Sequence, residues 1–238
     1  MSKRRITHGP SSTTMGIPIR AETAIDLTHT IKNGMTVYVG DAVPRVAKFK
    51  TLAKDGVNLS VITLGSHTGT HVDAPAHFVK GGRPLDDLPV ETFVGEAAVL
   101  DLSRVKAGSA IRASHLEAHE DEVKKGDIVL INTGFGRRWS DPRARRMYTY
   151  LGGDAAEWFV RKKVKAVGID YLSVEEFGAR TPVAHVTLLS HGIPIIESLN
   201  ENIASLGRRV FFVCLPIKVG GCDGAPARAM AYPIEGGH

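Results

Sequence analysis

Two cysteines, Cys214 and Cys222, are all the chain has, and neither belongs to a C-x-x-C pair. That excludes a disulfide scaffold and a closed thiolate zinc site, and it suits a reducing cytoplasm. Cys214 lies in the apolar run VFFVCLPI, where a thiol behaves as a small buried hydrophobe. Long hydrophobic runs are also missing: none approaches the roughly 20 residues that span a bilayer, so no membrane partner is expected. The opening MSKRRITHGPSSTTMG has basic residues with no apolar segment behind them. It therefore does not read as a signal peptide, and residues 1–20 read as a flexible tail. Charge of one sign is scarce too, since 30 basic residues face 25 acidic ones along the whole chain. The dense basic run RRWSDPRARRM (137–147) has one aromatic, Trp139, so it reads as a solvated surface rather than a nucleic-acid interface.

No repeat, low-complexity linker or compositional break divides residues 21–238, so a single mixed α/β domain is expected there. AIDLTHTI and MTVYVGD read as short strands parted by the turn at Lys32-Asn33-Gly34. VNLSVITLG alternates apolar and polar residues and reads as a strand running directly into the segment that follows. EAAVLDLS, GDIVLINTGF, KAVGIDYLSV, IPIIES and RRVFFVCLPI read as further strands. ASHLEAHEDEVKKG, DAAEWFVRKKV and VTLLSHG read as helices, the second with Asp154 as its N-cap.

Residues 66–78 read SHTGTHVDAPAHF, which places three of the ten histidines, an aspartate, a glycine and a proline in one short stretch. Gly69 and Pro75 oppose a helix, and Val72 with the threonines favours extension. In an extended chain side chains alternate faces, so the odd-numbered His67, His71, Asp73 and His77 share one side. Two ligand atoms on one zinc-like ion lie only ~3–4 Å apart. A straight strand separates residues 67 and 71 by roughly 13 Å, so the donors converge only if the chain bends, and Gly69 is where a bend fits. Imidazole and carboxylate without thiolate suit zinc or manganese.

The string His-Thr-Gly-Thr-His-Val-Asp-Ala-Pro-Ala-His resembles the H-x-G-T-H-x-D-x-P-x-H signature of the metal-dependent cyclase-like hydrolases, the family of bacterial kynurenine formamidase and isatin hydrolase. The likeness runs from about Ala24 to Ala231, through AIDLTHTIKNGMTVYVGD, GDIVLINTGF, KAVGIDYLSVE, AHVTLLSHGIPIIESL and LPIKVGGCDGAPARAMA. It implies a mixed β/β/α swivelling-domain fold and a homo-oligomer built on dimers. It also implies one or two Zn2+ or Mn2+ ions on His67, His71, Asp73, His185 and Glu197, with Asp73 as the bridge. His77 matches the family's catalytic acid/base. The implied activity is hydrolysis of a carbon–nitrogen bond in an aryl formamide such as N-formylkynurenine by metal-activated water. Ring opening of a lactam or lactone, as in isatin hydrolase, is the alternative, and a metal-bearing binding protein without turnover is another. Formylkynurenine-hydrolysing members often carry aromatic-Pro-Gly-Asp near the pocket. Here the stretch is Tyr38-Val39-Gly40-Asp41, which leaves the metal site untouched and the substrate open.

Tyr38, Phe78 and Phe135 are candidate walls for an arylamide, as is Trp139, with core packing the competing reading for each. His29 is a candidate for the pocket edge. His115 and His119 share a helix face without the H-E-x-x-H pattern and read as solvated. His191 reads as the end of a helix. Asp223 and Arg228 read either as an ion pair or as groups steering an anionic substrate. No G-x-S-x-G surrounds a serine, which excludes that form of serine hydrolase.

Overall fold

The computed structural model describes residues 20–234, so the tail expectation for residues 1–20 lies almost wholly outside the described residues. Twelve strands run in chain order as β1 (Ile25–Asp26), β2 (Arg45–Lys50), β3 (Leu59–Thr63), β4 (His71–Asp73), β5 (Val94–Asp101), β6 (Ala110–Ile111), β7 (Ile128–Asn132), β8 (Tyr150–Leu151), β9 (Ala166–Ile169), β10 (Ile195–Glu197), β11 (Arg209–Pro216) and β12 (Gly224–Pro233). Four α-helices join them: α1 (Leu52–Asp55), α2 (Ala113–Glu117), α3 (Gly153–Lys162) and α4 (Val183–Ser190). Among the described residues no helix is long and apolar enough to cross a membrane.

Seven strands close on themselves in the order β12-β11-β5-β7-β9-β10-β4, with β4 returning to pair β12. The fold is thus a single α/β domain around a mixed, barrel-like sheet, in agreement with the expected class. β5, β7, β9 and β10 are mutually parallel, and the remaining pairs of the ring are antiparallel. Parallel strands need cover on both faces, which is why IVLIN and AVGI are buried along their whole length. Alternation then sorts their side chains. Val129 and Ile131 pack outward with Trp158, Phe159, Leu188 and Leu189 of α3 and α4. Ile128 and Leu130 point inward with Val72, Ile196 and Phe212. Cys214 joins that interior, and burial pushes its thiol pKa up, so it is a packing residue as expected.

Several expectations fail, each for a non-local reason. VNLSVITLG does form β3, but β3 pairs only with β2, on a separate ladder, and each of its residues is exposed. Alternation predicts a strand; it does not say what the strand packs against. The chain then leaves β3 and turns before reaching His67. Met35–Asp41 is a loop rather than a strand. Asp154 lies inside α3, whose N-cap is Gly152; its carboxylate instead accepts from the Ala113 N–H of α2 (3.1 Å). The longest strand, β12, has no strand signal because Gly, Ala and Pro are poor strand formers.

Candidate metal centre

β4 lies between β10 and β12 and takes its register from both. Glu197 of β10 stands opposite His71, and Ile195 opposite Asp73. Pro226 and Gly224 of β12 flank the same two positions on the other side. His71 and Asp73 are i and i+2 on one strand and so share a face. His67 and His77 join them by bends rather than by alternation. Gly69 has φ +65, a left-handed turn that only glycine adopts freely, and it folds His67 back over the strand. Pro75 opens a 3-10 turn, Pro75–His77, that swings His77 inward until its ring stacks on His67 with centroids 3.9 Å apart. A Cβ on Gly224 would sit 2.7 Å from the Val72 carbonyl and 2.9 Å from the His67 ring, so this seam closes only around glycine. α4 brings in His185.

Asp73 is fully buried and is the hub. His67 donates from Nδ1 to its Oδ1 (2.7 Å), His71 Nε2 lies 3.2 Å from Oδ1, and His185 Nε2 lies 3.6 Å from Oδ2. Glu197 completes the group, with Oε1 3.3 Å from His185 Nε2 and Oε2 3.6 Å from His71 Nε2. The residue after it, Ser198, has φ +58, which costs roughly 1–2 kcal/mol for a non-glycine. Hydrogen bonds from its N–H to Tyr171 O (2.8 Å) and from Thr70 Oγ1 to its carbonyl hold it there.

Tautomers follow from the partners. His71 Nδ1 lies 2.7 Å from the Gly69 carbonyl, which only accepts, so Nδ1 carries the proton and the neutral ring keeps a lone pair on Nε2. His185 Nδ1 is directed in the same way at Glu175 Oε2 (3.2 Å). Two atoms at the centre, His71 Nε2 and Asp73 Oδ2, are buried without a hydrogen-bond partner among the described residues. An unpartnered imidazole lone pair beside an unpartnered carboxylate oxygen is a pair of donors that a cation satisfies, so the donor set fits a metal ion.

The electrostatics agree. Burial pushes His67, His71 and His185 down, but the carboxylates overcome it: His67 rises to about 9, and His71 and His185 are raised as well. Burial would raise Asp73, yet the surrounding histidines hold it well below the usual carboxylate range. The cluster thus attracts positive charge. His77 goes the other way, to about 4, because burial and repulsion from His67 and His185 outweigh Asp73 and Asp223.

The centre opens on a cavity of about 370 Å3 whose walls include Tyr38, Asp41, Phe78, Glu175 and Arg180. A family model described as a putative cyclase matches residues 25–176. The chain belongs to this cyclase family. A kynurenine formamidase of Bacillus cereus is 29% identical over 212 residues, covering 88% of this chain and 97% of that protein. A solved structure described as a predicted metal-dependent hydrolase from Bacillus stearothermophilus is 32% identical, with a TM-score of 0.74 over 88% of this chain and 97% of its own. Isatin hydrolase A from Labrenzia aggregata shares the fold at 23% identity, with a TM-score of 0.80 over 89% and 93% of the two chains.

Within this cyclase-family chain, the structure brings His67, His71, Asp73, His77, His185 and Glu197 together, and Tyr38 and Phe78 line the cavity. Phe135 does not: it is buried against Tyr171 (5.4 Å) in a separate aromatic cluster, because the Asp170 carboxylate ties the following turn down through Gly136 N–H. Trp139 stacks on His29 instead of lining the cavity, and His29 likewise faces elsewhere. Asp223 forms no pair with Arg228, which binds Asp26 (2.7 Å); Asp223 accepts from His67 Nε2 (2.6 Å) and lies 3.5 Å from His77 Nδ1. Glu175 was not foreseen. Its Oε2 accepts from Ala184 and His185 N–H, fixing the start of α4 as well as the His185 ring. The one trace of it in the sequence is an acid just after the KAVGIDYLSV strand segment.

Proposed function

We propose that this chain hydrolyses an amide carbon–nitrogen bond with a divalent metal ion, zinc or manganese, and that its substrate is an aryl formamide such as N-formylkynurenine. The observation that carries the reading is the convergence of His67, His71, Asp73, His185 and Glu197 around two buried, unpartnered ligand atoms at the floor of a cavity. The kinship with kynurenine formamidases supports the reaction class. Those five residues would hold one or two ions, with Asp73 offering one oxygen toward His67 and His71 and the other toward His185. Bound there, a divalent cation supplies Lewis acidity and draws the pKa of water down toward 7.

His77 supplies the proton handling. A ring nitrogen of His77 lies within 4.8 Å of ligand atoms of Asp73 and His185, so it borders the place where the carbonyl is attacked. Burial and its histidine neighbours keep the ring neutral at pH 7, so it has a nitrogen lone pair for the proton of the attacking water. The same low basicity makes that proton easy to return to the departing aryl nitrogen. Asp223 faces Nδ1 of His77 and steadies the ring, while Phe78 packs edge-on against it (4.3 Å). Tyr38 and Phe78 form apolar walls suited to an aryl group.

Purified protein is assayed for bound metal and for turnover of N-formylkynurenine, isatin and a small lactone. The expected result is formamide hydrolysis that chelation abolishes and Zn2+ or Mn2+ restores. Turnover surviving exhaustive chelation overturns the mechanism. Turnover of isatin or the lactone alone replaces the substrate, and tightly bound metal without any turnover points to a binding protein.

A further inference from the structure

Behind the loop that carries Thr36 and Tyr38 into the metal cavity lies a second cavity, also of about 370 Å3. His29, Lys32, Thr36, Trp139, Ser140 and Arg145 supply its polar and aromatic lining, and no carboxylate is among its lining residues. It also uses the part of the basic run 137–147 that the metal chemistry leaves aside. In that run Arg138 and Arg143 turn to Asp141, at 2.9 and 3.4 Å. Arg145 instead turns inward, where its side-chain contact is a long one from Nη2 to Thr36 Oγ1 (3.4 Å).

On two of its lining residues a nitrogen, His29 Nε2 and Arg145 Nε, is shielded from solvent without a hydrogen-bond partner among the described residues. Buried polar groups are normally satisfied, and an orphaned guanidinium N–H calls for an acceptor. The arrangement is rigid. His29 stacks on Trp139 with centroids 3.8 Å apart and planes 17° from parallel, and its backbone N–H is held by Thr70 Oγ1 (2.9 Å). Thr36 Oγ1 in turn donates to the Trp139 carbonyl (3.0 Å). Guanidinium, ammonium and hydroxyl donors around a carboxylate-free cavity match a small oxyanion, whose oxygens accept from several sides at once.

We propose that this cavity binds a small oxyanion, a carboxylate or a phosphate, held by Arg145, Lys32 and His29. The ligand would sit against the Trp139 ring, on the opposite side of the Thr36 loop from the metal centre. This site does not depend on the hydrolase reading.

The chain has two tryptophans, and the other, Trp158, is buried in the core, so a change in emission on adding an anion reports Trp139. Inorganic phosphate and acetate are titrated in parallel into the full-length protein at constant ionic strength with chloride as the balancing salt, followed by fluorescence and by calorimetry. The expected result is a saturable change with at least one of the two anions, weakened about tenfold in Arg145→Met, the loss of one charge-assisted contact. Phosphate alone or acetate alone names the source. Arg145→Lys, which keeps the charge, should lie between the parent and Arg145→Met and serves if the methionine variant misfolds. No saturable heat or emission change with either anion up to millimolar concentration overturns the proposal. So does an equal response to chloride, or parent-like affinity in a folded Arg145→Met protein.

Discussion

The two cavities share Thr36 and little else. One is lined by Asp41, Glu175, Glu176 and Glu197; the other has no carboxylate in its lining. His67, in the first, is raised to about 9, and His29, in the second, is lowered to about 4. Burial pushes both rings down, so the difference comes from neighbours: Asp73 and Asp223 clasp His67, while the charge of Glu201 offsets the burial of His29 only in part. His77 sharpens the point. It stands inside the acidic cavity yet goes down, because burial, with repulsion from His67 and His185, outweighs the pull of Asp73 and Asp223. Burial lowers all three rings, and the carboxylates beside each one decide whether that lowering is overturned.

The comparison breaks most visibly at the acidic cavity. On the proposed reading, Asp73→Ala removes metal and turnover together, whereas His77→Ala leaves metal content near that of the parent and lowers kcat by about 10²–10⁴-fold. Metal analysis beside steady-state kinetics separates the two, and full activity in His77→Ala would remove the acid/base assignment.

A smaller effect belongs to the basic cavity. The His29 pKa is about 4 in the folded chain against 6.5 unfolded, so between those values the unfolded state holds a proton that the folded state lacks. Stability from this source is present in full above pH 6.5 and is lost as pH falls through 6.5 toward 4. The loss between pH 7 and pH 5 is about 2 kcal/mol. Urea unfolding at the two pH values should show that loss shrinking in His29→Phe; an unchanged pH dependence in the variant would show that His29 titrates normally.

The smallest effect concerns the carboxylate that aims His185. Glu175→Gln keeps an acceptor for the α4 N–H groups but loses the charge facing Nδ1, and metal affinity should fall about tenfold with the fold intact. Competition with a chromophoric chelator measures it, and parent-like affinity would mean that the α4 backbone alone orients the ring.

Much of the centre was legible because it is local. His71 and Asp73 share a face by strand alternation, and Gly69 bends where a bend was needed. The resemblance to the cyclase-like hydrolases added His185, Glu197 and the role of His77. For Phe135 and Trp139 packing was the alternative that held, because an aromatic near a glycine-rich turn looks the same whether it faces a ligand or a second aromatic ring. Asp223 was singled out with its role open between an ion pair and substrate steering, since a turn between two long strands does not announce which side of the barrel its carboxylate overhangs. β3 was recognised as a strand and placed wrongly, for alternation is silent about the partner.

By itself, residue order determined a mixed α/β chain and a kinked histidine ribbon, because periodicity and the conformational freedom of Gly69 act within a few residues. Only the tertiary structure decided that Glu197 and Asp223 reach that ribbon, that Glu175 meets His185, and that Arg145 and His29 line one cavity across more than a hundred residues. Those meetings depend on the register of β4 between β10 and β12 and on barrel closure, which no short window of sequence contains.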